Sequence, residues 1–323
     1  MEEVIDKVKE LTTKLDTGVK EVLTSERFVE YLKQMSKFHD YSFGNTILIM
    51  LQKPDATLVA GFKTWQNKFN RNVNKGEKGI KIIAPCPVKI NKLKDVVNEK
   101  GEKEKKEIEI TIPKFKAVTV FDVSQTSGEP LKEIAKELKG EYKNYNILFE
   151  SIKKCSNFEI NFESNIKANG FCKPNESKIV IKEELSEIHK IKTLIHEIAH
   201  EKLHSKKENK TEKKPTRNQQ EVEAESVAYV VSNYFGIDTS TYSFDYISSW
   251  QKKDIAEVKS SLQIIQETSN SLIEQIKNNL ELSKELSISD KIKQAKEISE
   301  NQNEEKKSKT KEKDISLQKG VEI

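Results

Sequence analysis

Apolar residues recur at three- and four-residue steps through Val4, Val8, Leu11, Leu15 and Val22, which is one stripe of an amphipathic helix. A second stripe, Phe28, Leu32 and Met35, predicts a helix opened by Thr24 or Ser25. Ser42 reads as the cap of a third helix, which Pro54 ends. After Gly61 and Trp65 the period changes to two. IKIIAP at 80–85, then VKI, IEITIP and AVTVFDV at 117–123, predict strands of a small antiparallel sheet. Between Lys89 and Glu107, NKLKDVVNEKGEKEKKE carries mixed charge around Gly101 and reads as a long hairpin tip or a solvated insertion. SQTSGEP at 124–130 is polar and bears Gly and Pro, so it is taken as a domain boundary.

Beyond it, LKEIAKEL and NILFESIKK predict helices, and FEINF (158–162) and KIVIKE (178–183) predict strands. A long helix is expected over 185–205, then the polar stretch SKKENKTEKKPTRNQ, then a helix from 219 to Phe235 with Gly236 just past its end. One or two further helices are expected within 245–278. The expected fold is α+β in two domains: an α+β unit over 1–126 and a mainly helical unit with a small sheet over 127–280. The Lys-, Glu- and Ser-rich segment 281–323 reads as a charged, partly disordered tail.

Composition narrows the functional classes. The 323 residues carry 56 basic and 52 acidic side chains, a net charge of +4, so any case for nucleic acid must be local. Cys86, Cys155 and Cys172 form no CxxC pair, which points to a reducing compartment. The N-terminus MEEVIDKVKEL lacks an apolar core segment, and the longest apolar run, ILIML at 47–51, is too short to span a bilayer. The expectation is a soluble cytoplasmic protein with no membrane partner.

Candidate chemistry is concentrated in TLIHEIAHEKLH, Thr193 to His204. On a helix, His196 and His200 lie one turn apart on one face and can share an ion, with Zn–N distances of about 2.0–2.1 Å. Glu197 stands about 100° round the helix, placed to act as the general base of an H-E-x-x-H site. Such a motif arises by chance on exposed helices. Here, however, four of five histidines (His189, His196, His200, His204) fall within sixteen residues, and Leu194, Ile195, Ile198, Ala199 and Leu203 make the flanks apolar. His204 lies eight residues from His196, about 12 Å along a continuous helix, so one ion cannot take both. It is read as a residue at the rim of the site, one that supports a ligand from behind, or a purely structural one. EVEAESVAYVV (221–231) offers the third ligand: Glu221 is assigned as ligand and Glu225 as the carboxylate that orients a histidine, with Glu225 the alternative ligand.

TLIHEIAHEKLH followed by EVEAESVAYVV and SFDYISSW (243–250) resembles the metallopeptidase domain of ArdC-type antirestriction proteins and, more distantly, the ImmA/IrrE and SprT-like zinc peptidases. The resemblance covers 128–278 and implies a zincin fold, Zn2+ as cofactor and a protein or peptide substrate. KIVIKE reads as a sheet edge able to pair with an extended peptide. His204, Tyr242 and Tyr246 are candidate oxyanion donors.

In the first unit, YSFGN, PDAT, VAGFKTW and KGEKGI resemble, in order, the single-stranded-DNA-binding domain of ArdC-like proteins over 3–124. That implies single-stranded DNA as partner. The physics agrees: aromatic platforms beside basic groups hold single strands. The candidates are Phe38, His39, Tyr41, Phe43, Trp65 and Phe69 with Lys37, Lys63, Lys68, Arg71, Lys75, Lys78 and Lys81. Gly76 and Gly79 permit a tight turn there. The function expected is that of an antirestriction-type protein of a mobile, conjugative element. Two alternatives remain: a non-catalytic DNA-binding protein with a structural zinc, and an ImmA-type regulatory protease that cuts a repressor.

Overall fold

The computed structural model describes residues 2–97, 103–131, 145–205 and 215–283, apart from 238, 241 and 243. The expected helix LKEIAKEL, the turn around Gly101, most of the polar stretch after Ser205 and the tail after residue 283 lie outside them.

Helices α1 (Glu2–Glu21), α2 (Ser25–Lys37) and α3 (Phe43–Gln52) occupy the segments that the apolar stripes mark. Thr24 takes the N-cap position of α2 without a side-chain hydrogen bond, whereas Ser42 caps α3 with its hydroxyl accepting from the Asn45 N–H. Strands β1 (Val59–Gly61), β3 (Ile80–Pro85) and β6 (Phe115–Asp122) form an antiparallel sheet in the order β1-β6-β3. Asn45 and Gln52, two helical turns apart on α3, each exchange two hydrogen bonds with the backbone of Ile83 and Lys81. Their amides thus close the free edge of β3 as a neighbouring strand would.

Two features depart from expectation. Helix α4 (Phe62–Phe69) interrupts the strand region and ends at Asn70, whose φ of 50° is left-handed. The mixed-charge segment is mostly strand: β4 (Val88–Val97) and β5 (Lys103–Ile112) pair over ten residues. Alternation at Val88 and Ile90 and at Ile108, Ile110 and Ile112 carries the pairing on into the charged stretches, so the described part of the segment is a two-stranded ribbon. Strand β2 (Arg71–Val73) pairs with β7 (Thr126–Gly128), which places part of the SQTSGEP segment in a sheet.

The second half comprises α5 (Tyr145–Lys153), β8 (Glu159–Glu163), β9 (Gly170–Lys173), β10 (Lys178–Lys182), α6 (Glu187–His204), α7 (Arg217–Tyr234), a 3-10 segment (Asp245–Lys252) and a helix, α8, over 255–283. Strand β10 runs parallel to β8 and antiparallel to β9, in the order β8-β10-β9. KIVIKE is therefore the central strand, not an edge. Ile179, Val180 and Ile181 are all buried, and a strand apolar on both faces needs both faces covered. The edge beside α6 is β9, a four-residue strand too short to announce itself in the sequence.

One apolar core runs across the chain: Phe28, Tyr31 and Leu32 of α2 join Val230 and Val231 of α7, Trp250 and Leu262. The Phe28 ring meets Phe244 edge-on at 5.3 Å and Trp250 at 6.5 Å. Ser36 donates to Asn233 Oδ1 at 2.8 Å, and Gln266 donates to the His39 carbonyl. A smaller core of Phe38, Ile49, Val59, Ile80, Ile82 and Val120 lies under the first sheet. Among the described residues no helix is long and apolar enough to cross a membrane.

Candidate metal centre

Helix α6 packs on β9 and β10 and buries Ile191, Leu194, Ile195 and Ile198 in the large core, while His196 and His200 face Glu221 of α7. Their Nε2 atoms lie 3.1 Å apart, and Glu221 Oε2 from α7 stands 3.5 Å from each. A triangle with those sides has its equidistant point about 2 Å from every corner, the length of a zinc–nitrogen or zinc–oxygen bond. The three ligand atoms fit one divalent cation. Glu225 Oε2 lies 3.0 Å from His196 Nδ1, a ring nitrogen with no other hydrogen-bond partner among the described residues.

The charge balance also suits a cation. Burial opposes charge on His196, but Glu221 and Glu225 outweigh it and hold the imidazole pKa up to about 10. Hydrogen bonding to His196 and His200 pulls the Glu221 carboxyl well below its usual range. Glu197 is buried, which raises its pKa, and the Cys172 backbone N–H of β9 donates to its carboxylate. The general-base candidate thus sits against the open edge of β9. Gly170 makes that approach possible: a Cβ there would lie 2.5 Å from Thr193 Cγ2 and 2.9 Å from the Val180 carbonyl oxygen.

Other candidates fall outside this cluster. His204 Nε2 lies 3.3 Å from the Gln220 carbonyl oxygen and 3.8 Å from Glu223 Oε2, so it links α6 to α7. Tyr242 shares a hydrogen bond with Ser232 and lies under Lys192, whose Nζ is 5.3 Å from the ring centroid. The Tyr246 side chain is not among those described. Sequence reasoning missed Glu201, one turn beyond Glu197. It is buried and accepts hydrogen bonds from Ser156 Oγ and from the Asn157 backbone and side chain, pinning the turn into β8. Its only signal was a glutamate in an apolar helix.

The aromatic DNA candidates are largely interior. Trp65 is 0% exposed and donates its indole N–H to the Phe121 carbonyl at 2.9 Å, and Phe38 is 3% exposed. Phe38 packs under the first sheet and Trp65 is enclosed between α4 and β6 beside Phe69, so neither offers a face to a base, which corrects their reading as platforms. His39 is buried with Nε2 3.4 Å from Glu274 of α8 and its ring against Tyr234. Phe43 is half-buried against the large core, and the Tyr41 hydroxyl donates to the Val59 carbonyl. Arg71 is also structural: its guanidinium donates to Thr126 Oγ1 and to the carbonyls of Thr126, Gly128 and Glu129. Lys37, Lys63, Lys68, Lys75, Lys78 and Lys81 are exposed, and Phe69 is half-buried beside Lys68. The most exposed aromatics of this half are two that sequence reasoning passed over, Phe62 at 48% and Phe115 at 54%.

Comparison with known proteins agrees with this layout. Residues 1–121 match the family model of the N-terminal domain of anti-restriction factor ArdC, and residues 161–257 match that of the IrrE N-terminal-like domain. An uncharacterized Bacillus anthracis protein, pXO2-81, is 28% identical over an alignment of 311 positions that covers 85% of this chain. The chain spans about half of that relative, 52% of its length. Crystal structures of the antirestriction ArdC protein from plasmid R388, metal-free and Mn(II)-bound, align at 16% identity with TM-scores of 0.43 and 0.44. Each alignment covers 73% of this chain and 84% of the other. The chain therefore carries a region that matches the N-terminal domain of anti-restriction factor ArdC, followed by one that matches the IrrE N-terminal-like domain of the M78 peptidase family.

Proposed function

We propose that this protein is a zinc-dependent peptidase of antirestriction type that also binds single-stranded DNA. Residues 1–126 take the strand and residues 127–280 hydrolyse a protein bound near it. The observation that carries the reading is the triangle of His196 Nε2, His200 Nε2 and Glu221 Oε2 with a buried Glu197 carboxylate beside it. Zinc held by those three side chains supplies Lewis-acid polarisation of a carbonyl and acidifies water. Glu197 receives a proton from water on its carboxylate and returns it to the departing amine nitrogen. Glu225 orients the His196 ring. The free edge of β9 next to Glu197 pairs with an extended peptide, the role first given to KIVIKE. The half-exposed Glu221 favours an open, catalytic site over a closed structural one, whose ligands would be enclosed.

Elemental analysis and a peptidase assay test this together. The expected result is one equivalent of zinc in both the wild type and Glu197→Gln, with hydrolysis lost only in the variant. Zinc absent from the wild type, or hydrolysis that survives Glu197→Gln, overturns the reading.

A further inference from the structure

The two faces of sheet β1-β6-β3 differ in character. Val59, Ile80, Ile82, Val118 and Val120 point into the smaller core. The opposite face carries Lys81 and Ile83 of β3 with Phe115, Ala117, Thr119 and Phe121 of β6, none of them acidic; helix α1 packs against both strands, and Ile83, Ala117, Thr119 and Phe121 are half-buried. At one end Phe62, exposed at the start of α4, meets Phe121 edge-on with ring centroids 6.4 Å apart. Gly79 closes against the same ring: a Cβ there would lie 3.0 Å from two Phe121 carbons and 2.2 Å from Thr119 Cγ2. The KGEKG segment, turned by Gly76 at φ +91°, therefore lies directly against the aromatic pair.

Charge follows the same pattern. Lys63 and Lys78 adjoin Phe62 and Gly79 in the chain, and Lys81 Nζ donates to Thr119 Oγ1 at 2.6 Å on this face. Glu77, the carboxylate of the turn, is held by Gln125 Nε2 at 2.9 Å. Bases stack on aromatic rings while ammonium groups track phosphates. An exposed aromatic with Lys81 on its face and two exposed lysines adjoining it in the chain is complementary to a single strand.

We infer that the Phe62 end of this face is where single-stranded DNA lies, with exposed Phe62, backed by Phe121, as the base platform and Lys63, Lys78 and Lys81 as phosphate contacts. The inference rests on the DNA-binding reading proposed above and moves the contact surface away from Phe38 and Trp65.

The test is fluorescence anisotropy of the full chain with a labelled oligothymidylate across a salt series. Phe62→Ala should weaken binding roughly five- to hundredfold, the range for loss of one stacked base. The pair Lys63→Ala, Lys81→Ala should flatten the plot of log affinity against log salt by about 1.4, since each single-strand phosphate contact contributes about 0.7. Leu93→Ala, exposed on the β4–β5 ribbon, should bind as the wild type does. If the wild type binds and both the Phe62 and lysine variants match it, the face is wrong while the DNA reading stands. If the wild type fails to bind even at low salt, both fall. Preference for oligouridylate over its DNA counterpart overturns the assignment to DNA.

Discussion

Glu225 Oε2 stands 3.0 Å from His196 Nδ1, on the side of the imidazole away from the Nε2 that faces Glu221. One carboxylate thus addresses the ring from behind while the other converges with it. Glu225→Gln should lower metal affinity ten- to hundredfold in a chelator competition, as loss of an outer carboxylate does. Glu221→Ala should strip the metal. If the two variants exchange these outcomes, the ligand is Glu225.

Asp122 predicts an acid-dependent contribution to stability. It is 1% exposed and accepts from the backbone N–H groups of Thr57, Leu58 and Ser124. Burial acts to raise its pKa, but these hydrogen bonds outweigh burial and lower it. A folded-state pKa below the unfolded value stabilises the protein above the ordinary carboxylate range, about 3.9, and this is lost as pH falls through the folded value. Asp122→Asn should cost about 1–3 kcal/mol near neutral pH. Denaturant titrations should show that gap narrowing below about pH 4.

Gly170→Ala should destabilise the protein by about 1–3 kcal/mol, because the new methyl meets a backbone oxygen as well as a side chain. Adding Thr193→Ala relieves only the side-chain contact, so chemical denaturation should show partial rescue. Full rescue would mean that the Val180 carbonyl moves freely.

Arg71→Lys should cost about 1–3 kcal/mol of stability, since an ammonium cannot span the carbonyls of Thr126 and Glu129 together. Affinity for single-stranded DNA should be unchanged at temperatures where the variant is folded. A weakened complex with unchanged stability would return Arg71 to the surface that sequence reasoning gave it.

The helices were legible where period and punctuation coincide. Ser42 and Pro54 bracket α3, and the apolar flanks of TLIHEIAHEKLH imply a helix docked on both sides of its histidines. EVEAESVAYVV was read as the source of a third ligand, and Glu221 lies 3.5 Å from both histidine Nε2 atoms, on a helix whose Ala224 and Ala228 are buried. Elsewhere local pattern says what an element is but not what it touches. Alternating aromatics and lysines at 37–71 looked like a binding surface, yet Trp65 and Phe38 face inward. Strand β9 is four residues with a glycine, below the length at which alternation can be read. Asn70 stops α4 by a left-handed turn that the sequence FKTWQNKFN does not advertise.

Helix α2 is covalently joined to the first half of the chain but spends its aromatic residues on the second. Cleaving the backbone after residue 126 would leave Phe28, Tyr31 and Leu32 uncovered on one fragment and Phe244 and Trp250 on the other. Each large apolar side chain so uncovered is worth about 1.5–3 kcal/mol. Severed pieces should therefore seek each other out, and the protein lends itself to fragment complementation rather than to dissection into independent parts.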